Sequence, residues 1–188
     1  MQGADMGIWK NTTTHYGLVS ILIHWVSAFT VFSLFGVGLY MMSLSYYDPL
    51  YQSLPWWHKS IGLTLFATTL FRLLWKIIYP QPAPLPEHNL LTVRLAVSVH
   101  HLIYLLLFAI MISGYLISTA DGRPVSFFGW FEIPALVSGI SGQEDIAGEV
   151  HFYLAWALVI LASLHGLAAI KHHLIDRDRT LTRMLKPR

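Results

Sequence analysis

Four long apolar segments dominate this sequence. They run over residues 18–42, 56–79, 93–118 and 149–170, and the first contains no Asp, Glu, Lys or Arg. A helix needs about 20 mostly apolar residues to cross a bilayer. Because a chain inside hydrocarbon must satisfy its own backbone hydrogen bonds, such segments are expected to be helices. The sequence therefore predicts an all-α membrane protein, a four-transmembrane-helix antiparallel bundle that forms a single domain over residues 1–188.

The composition agrees with this class and excludes several others. Charged residues make up 12% of the chain, about half the fraction usual in soluble proteins. The net charge of +2 is small and no basic stripe alternates with aromatic residues, so we expect no nucleic-acid partner. There is no cysteine, which excludes disulfides and thiolate-bound metals. Any metal must be held by His, Met or oxygen, and the chain has ten histidines.

The distribution of charge predicts the orientation. Lys10 precedes the first segment, and further Lys and Arg flank the Pro-rich link between the second and third segments and follow the fourth segment. Most of the acidic residues lie in the other two links. By the positive-inside rule, both termini are expected to be cytoplasmic and the other two links periplasmic. We therefore expect a multi-pass membrane protein that is surrounded by membrane lipid.

Two histidines lie on one face of the fourth segment, at different depths. His151 and His165 are fourteen residues apart, which in a helix is about 21 Å of rise and about 40° short of four turns. His151 lies near the outer end, and His165 lies six residues before Lys171 at the inner end. Ionisable side chains are costly inside a membrane, so their presence at two depths indicates a function.

Other segments carry histidines at the same two depths. His58 lies near the outer start of the second segment, and His24 lies six residues into the first, at the inner level. His100 or His101 reaches that inner level on the third segment, and from depth alone His101 could replace His24. Two levels of facing histidines are what two bis-histidine haem groups need, because each iron takes one imidazole from each of two helices.

Other interpretations exist for a single histidine. A lone intramembrane histidine is often a packing residue or an interfacial anchor, and we prefer that for His15, His88 and His173. A zinc site usually gathers three or four ligands at one level, often with cysteine or carboxylate. Two histidines per level, with no acidic residue deep in a segment, favour haem. We therefore predict two bis-histidine haem groups ligated by His24, His58, His151 and His165, with His101 still an alternative to His24.

Two arginines and two glycines fit this interpretation. Arg72 lies on nearly the same face as the second segment's histidine, at the inner level, where a haem propionate would serve as its partner. The alternative is that its side chain extends to the cytoplasmic surface. Arg123, in the outer link, would meet outer propionates or an external anion, or is an ordinary loop charge. Gly62 and Gly166 leave room for a flat macrocycle, although small residues also simply pack membrane helices.

Motifs in all four segments resemble those of the bacterial cytochrome b561 family. The matching stretches are ILIHWVSA, WHKSIG with LFRLLWK, HHLIYLLLFAIMISGY, and VHFYLAW with LHGLAAIKHH, followed by the basic tail DRTLTRML. Together they span nearly the whole chain. The stretch GYLISTADGRPVSFFGWFEIP is similar to one subgroup of the family rather than to its best-studied members.

The resemblance implies a dihaem protein of the bacterial inner (cytoplasmic) membrane, and it implies roles for six of the ten histidines. It implies two ligand pairs, inner His24 with His165 and outer His58 with His151. It implies a supporting role for His101. His172, seven residues beyond the inner ligand of the fourth segment, becomes a candidate quinone contact, the alternative being an interfacial basic residue.

The resemblance also implies electron transfer between a periplasmic donor or acceptor and the membrane quinone pool. In one branch of the family the reductant is superoxide and the acceptor is ubiquinone. Membership in that branch would make the chain an oxidoreductase, with the chemistry carried out by its cofactors. Lys59 and Arg123 would attract superoxide, whereas the acidic residues of the outer link would oppose it. The alternatives are a cytochrome b anchor subunit of a larger redox complex and a non-redox, His-lined metal transporter.

Overall fold

The computed structural model describes residues 6–187. Four long helices lie within that range and are long and apolar enough to cross a membrane, with lengths of 24, 26, 30 and 32 residues. This confirms the predicted membrane helical class. In chain order the elements are α1 (Met6–Trp9), α2 (Leu18–Met41), α3 (Ser53–Ile78), α4 (Leu90–Thr119), β1 (Val125–Phe127), β2 (Phe131–Ile133), α5 (Gln143–Leu174) and a 3-10 turn (Thr182–Met184).

The last long helix extends beyond the apolar segment from which it was predicted. α5 begins six residues before that segment and ends four residues after it. Hydropathy marks only the apolar part of a helix, whereas backbone hydrogen bonding continues through its polar ends. Glu144 and Asp145 lie in the first turn of α5, and Lys171 lies in the last. These charges suit the positive amino end and the negative carboxyl end of the helix dipole.

Contacts divide the chain into two compact units, and each contains part of every long helix. Among the described residues, the first unit comprises 6–28, 68–103 and 161–187. The second comprises 29–67 and 104–160.

Small polar side chains, rather than large apolar ones, are the most deeply buried in both units. Ser60 and Thr119 are fully buried in the second unit, and Thr69 is nearly so in the first. Large apolar side chains such as Phe29 and Ile77 point outwards. Lipid tails are as apolar as leucine, so these side chains gain nothing from burial, whereas small residues let helices approach closely. This distribution is the one expected of a protein embedded in lipid.

In the first unit, the C-terminal tail is anchored to two connecting segments. The guanidinium of Arg183 donates hydrogen bonds to the carbonyl oxygens of Thr14 and Ala83, each at 3.0 Å. The indole N–H of Trp25 donates to the carbonyl oxygen of Met184 at 2.7 Å. These contacts fasten the tail next to the part of α2 that carries His24.

In the second unit, the link between α4 and α5 contains a two-stranded hairpin. Val125 pairs with Ile133 in antiparallel register. Phe128 and Gly129 form the turn with φ of 49° and 72°, the left-handed conformation of a primed hairpin turn. The sequence predicted only a long link here, because strands of three residues are too short to show an alternating pattern.

The fully buried Ser60 of α3 holds this hairpin in place. Its hydroxyl oxygen accepts a hydrogen bond from the backbone N–H of Phe128 at 3.1 Å and donates to the carbonyl oxygen of Ser126 at 3.5 Å. The Phe128 ring packs edge-on against Trp56 and Trp57. The hairpin is therefore fastened to the same part of α3 that carries His58.

Candidate functional site

In the second unit, His58 of α3 faces His151 of α5, and we call them the outer pair. Their ring centres are 6.3 Å apart and their planes are inclined by 66°. Both side chains are partly buried. Depth along the helices predicted that these two residues would be partners, and the fold brings them together.

The environment of His151 determines which of its nitrogens is protonated. Its Nδ1 lies 3.0 Å from the carbonyl oxygen of Ile110 and 3.1 Å from the hydroxyl oxygen of Ser113. A carbonyl can only accept, so Nδ1 must carry the proton. The Ser113 hydroxyl donates to the same carbonyl at 2.9 Å and so can also accept from the ring. The Nε2 of a neutral His151 is then unprotonated and able to bind a metal.

Glycines provide space for both rings of the outer pair. A Cβ at Gly114 would lie 3.0 Å from Cε1 of His151, closer than side chains normally pack. A Cβ at Gly38 would lie 3.5 Å from Cε1 of His58, an ordinary contact. Sequence reasoning missed both glycines and named Gly62, where a Cβ would meet nothing within 4 Å. Gly114 is thus the position at which a methyl group would displace the histidine.

A cavity of about 910 Å³ adjoins the outer pair. It is lined by His58, His151 and Gly62, and its wall includes Val125 and Ile133 of the hairpin. Its volume is near the upper end of the range of about 300–1,000 Å³ that is typical of ligand and cofactor pockets. Most of its wall is apolar, as a porphyrin macrocycle requires.

Arg123 lies in the same unit, but its guanidinium is already paired with a carboxylate. Its guanidinium is exposed and pairs with the carboxylate of Asp121, which itself lines the cavity. The hydrogen bond from the Arg123 side chain lowers the pKa of Asp121, so this carboxyl remains anionic. The two charges largely offset each other at the rim.

In the first unit, His24 of α2 and His165 of α5 form the inner pair. Their ring centres are 6.3 Å apart and their planes are inclined by 77°. His100 of α4 also approaches, with its ring centre 5.1 Å from that of His165. Its neighbour His101 is exposed, and among the described residues no ring contact links it to the inner pair. Adjacent residues differ by about 100° around a helix, so depth alone did not distinguish them.

Arg72 contacts the inner pair directly. Its Nη2 lies 3.2 Å from Nδ1 of His24. Arginine can only donate, so Nδ1 of His24 is the acceptor. In a neutral ring the proton is then on Nε2, the opposite arrangement to that of His151. The prediction that Arg72 reaches the inner level agrees with this contact.

Both pairs have a separation that suits one metal atom held between two imidazoles. A metal–imidazole bond is about 2.0–2.1 Å and the ring centre lies about 1 Å further, so two opposed rings place their centres about 6 Å apart. Each observed distance is 6.3 Å. The donors are imidazole nitrogens only, the set of a bis-histidine haem. The residues present therefore fit the group.

His172 belongs to a different cluster in the first unit. Its Nδ1 lies 2.8 Å from a carboxylate oxygen of Asp176 and 3.1 Å from one of Asp178, although neither contact has hydrogen-bond geometry. His88 contributes its Nε2, 2.8 Å from the same Asp178 oxygen. Sequence reasoning treated His88 as a packing residue, because nothing local relates it to a tail ninety residues later. The close spacing in KHHLIDRD was the only signal in the sequence.

The carboxyl of Asp178 stays ionised in this cluster. Burial alone would raise the pKa of Asp178, but hydrogen bonds from His88 and Thr180, together with the nearby His172, outweigh it and lower the pKa to about 2. A fixed negative charge therefore lies between the two imidazoles at neutral pH.

Comparison with known proteins places the chain in a family. The family model described as prokaryotic cytochrome b561 matches residues 15–187. The chain belongs to the prokaryotic cytochrome b561 family. It is 53% identical over 176 residues to "Cytochrome b561 homolog 2" of Escherichia coli (strain K12), covering 93% of each chain. It is 29% identical over 171 residues to "Probable superoxide oxidase CybB" of Yersinia pestis, covering 90% of this chain and 95% of that one.

Membership in this family confirms the coarser functional predictions. As a member of this family, the chain is a multi-pass protein of the bacterial inner membrane that binds haem b and transfers electrons. In such proteins the cofactor carries the redox chemistry, while the polypeptide supplies position and electrostatics.

Proposed function

We propose that this protein carries two haem b groups, one at each histidine pair, and moves electrons between a periplasmic donor or acceptor and the membrane quinone pool. The observation that supports this most directly is that the same ring separation of 6.3 Å occurs in both units. Bound haem iron supplies reversible one-electron chemistry. Both ligand pairs use α5, so one helix carries a ligand for each group.

At the outer pair, the protein would prepare His151 for ligation before haem binds. The carbonyl of Ile110 holds the ring proton on Nδ1 and keeps Nε2 available. Hydrogen bonding of this kind orients a ligand ring and increases its basicity. The cavity beside the pair has mostly apolar walls, and Val125 and Ile133 of the hairpin line it.

At the inner pair, ligation through Nε2 of His24 requires a rearrangement. The contact from Arg72 holds Nδ1 as an acceptor, so the arginine must release it before Nδ1 can take the proton. A haem propionate is the candidate anion for the guanidinium of Arg72, because an arginine inside a membrane pairs with anionic groups.

The remaining proposed roles lie around these two pairs. Both termini would be cytoplasmic, so the inner pair would serve the quinone reaction, with ubiquinone as the acceptor. His172 remains our candidate quinone contact and His101 a supporting residue near the inner group. Arg123 would meet an outer propionate or external anion once it is released from Asp121.

Haem counting tests the proposal. The untagged protein, purified in detergent, should contain about two low-spin haem b per chain, and His58→Ala and His165→Ala should each reduce this to about one. His173→Ala is the control, because it changes an exposed histidine that belongs to neither pair. It should leave the haem count at two. One haem in the unmodified protein, or a ligand variant that retains both, would contradict the two-site proposal.

Superoxide is the candidate periplasmic reductant, because a protein similar over 90% of this chain is named as a probable superoxide oxidase. Two superoxide anions would each lose one electron to give two O₂, and the two electrons with two protons would convert ubiquinone to ubiquinol. Lys59 lines the outer cavity and would favour approach of an anion, whereas Glu144 and Asp121 line it too and would oppose approach.

The superoxide reaction has a direct assay. Ubiquinone reduction should depend on a superoxide source, be abolished by superoxide dismutase, and slow in Lys59→Glu with the haem count unchanged. Complete inactivity with superoxide, together with stable co-purification of a catalytic protein, would instead favour the anchor-subunit role. Absence of haem, with altered metal flux in His24→Ala, would favour the metal transporter.

A further inference from the structure

Three side chains from three separate segments converge in the first unit. His88 comes from the link between α3 and α4, His172 from the last turn of α5, and Asp178 from the C-terminal tail. Their side chains are 16%, 21% and 5% exposed. One potential ligand atom from each lies within 4.8 Å of the other two. Neither histidine pair includes any of these residues.

The carboxylate of Asp178 lies between the two imidazoles. Its Oδ2 is 2.8 Å from Nε2 of His88 and 3.1 Å from Nδ1 of His172. Its Oδ1 accepts a hydrogen bond from the backbone N–H of Thr180 at 2.7 Å, which fixes the direction of the carboxylate. The rings of His88 and His172 are 4.9 Å apart, centre to centre. The three ligand atoms therefore lie close enough together to share one ion.

The second observation concerns Nδ1 of His172. This atom is buried and close to two carboxylates, yet neither contact has the direction of a hydrogen bond. A buried nitrogen without a directional partner is unusual and calls for an explanation. A cation seated between the ring and the carboxylates would use the nitrogen lone pair and balance the negative charge.

The donor set decides which cation is expected. Two imidazole nitrogens and one carboxylate oxygen are the ligands of many three-ligand zinc sites and of other first-row divalent metals. Magnesium and calcium prefer oxygen ligands alone. We propose that His88, His172 and Asp178 form a binding site for a divalent transition-metal ion, for which zinc is the reference ion.

An ion at this position would join the link, the end of α5 and the tail. His88 already contacts the tail through its hydrogen bonds to Asp178 and Thr180. A ligand that binds only the folded state stabilises that state in proportion to its concentration. The ion would also occupy Nδ1 of His172, so it would withdraw that residue from the quinone role proposed above.

Zinc binding by the untagged protein tests this site. After treatment with a chelator, equilibrium dialysis against Zn²⁺ should give one ion per chain. His88→Gln and Asp178→Asn should each weaken Zn²⁺ binding at least about tenfold, because loss of even an outer-shell partner costs about 10–100-fold. His173→Ala removes the adjacent exposed histidine and should bind as the parent does.

His88→Gln also separates a metal site from a simple hydrogen-bonded latch. Glutamine still donates to Asp178 but is a poor zinc ligand, so the tail should remain docked while Zn²⁺ affinity falls. Zn²⁺ should raise the melting temperature of the parent but not of this variant, and an unchanged haem spectrum in both will show that the variant is folded.

Several outcomes would overturn the metal site. One is that the parent binds no stoichiometric zinc, and another is that the parent and His88→Gln bind Zn²⁺ with equal affinity. A third is that His173→Ala loses as much Zn²⁺ affinity as His88→Gln, which would indicate adventitious binding to exposed histidines. None of these depends on the haem count, so the dihaem proposal stands or fails separately.

Discussion

The outer and inner histidine pairs share one ring separation but hold their protons differently. In the outer pair, the Ile110 carbonyl keeps the His151 proton on Nδ1 and leaves Nε2 available. In the inner pair, Arg72 donates to Nδ1 of His24, which places the proton on the nitrogen that would ligate iron. Equal spacing therefore does not mean equal readiness for the proposed ligation. The outer pair would bind as it stands, whereas the inner pair would have to exchange an arginine for a proton.

The largest expected effect comes from removing one ligand from each pair. His151→Ala should abolish haem binding in the second unit only, and His165→Ala in the first unit only, because each imidazole is one of two axial donors. Haem content should fall from about two to about one per chain in both variants. The reduced-minus-oxidised spectra of the two variants should differ and together account for that of the parent. Identical residual spectra would mean that the pairs are not separate sites.

A methyl group beside the outer ring should have the next largest effect. Gly114→Ala would place a Cβ 3.0 Å from His151 and force the ring to shift, whereas Gly62→Ala would meet nothing within 4 Å. We expect Gly114→Ala to destabilise the protein by about 1–3 kcal/mol and to change only the outer haem signal. Thermal unfolding and redox spectra measure both. An unaffected Gly114→Ala protein would show that the outer ring is not confined.

The charge of Arg72 should affect the inner pair alone. Removing a positive charge next to the inner pair makes addition of an electron to the inner haem less favourable. Arg72→Gln should therefore lower the midpoint potential of the inner haem. A tenfold change in the one-electron equilibrium corresponds to about 60 mV. Arg123→Gln is the matched control, because its charge is exposed and paired with Asp121. Spectroscopic redox titration resolves the two components. A shift in the outer component instead would contradict the assignment of Arg72 to the inner pair.

The smallest effect is expected at Ser113. Ser113→Ala removes one of the two oxygens near Nδ1 of His151 but leaves the Ile110 carbonyl, which is sufficient to hold the proton there. The loss in unfolding free energy should be about 0.5–1.5 kcal/mol, the usual contribution of one hydrogen bond. Chemical denaturation measures it. Loss of the outer haem in this variant would show that the hydroxyl, rather than the carbonyl, controls the ring.

Depth along a helix could be predicted from the sequence, because each residue advances about 1.5 Å whatever surrounds it. This constant rise paired His58 with His151 and placed His24 at the level of His165. The fold brings both sets together. The direction in which a side chain points around the helix axis was harder to predict. It is His100, not His101, that approaches the inner pair, since the rotation of α4 against its neighbours is set by packing rather than by spacing.

The membrane class, the four spanning helices and the family could all be predicted from the sequence, because hydropathy and local motifs depend on contiguous residues. The fold was needed to find the Ile110 and Arg72 contacts, the space that Gly114 provides, the hairpin docked on Ser60, and the cluster of His88, His172 and Asp178. Each of these depends on distances between side chains far apart in the chain. Such distances follow from how the helices and links pack, and no local pattern encodes them.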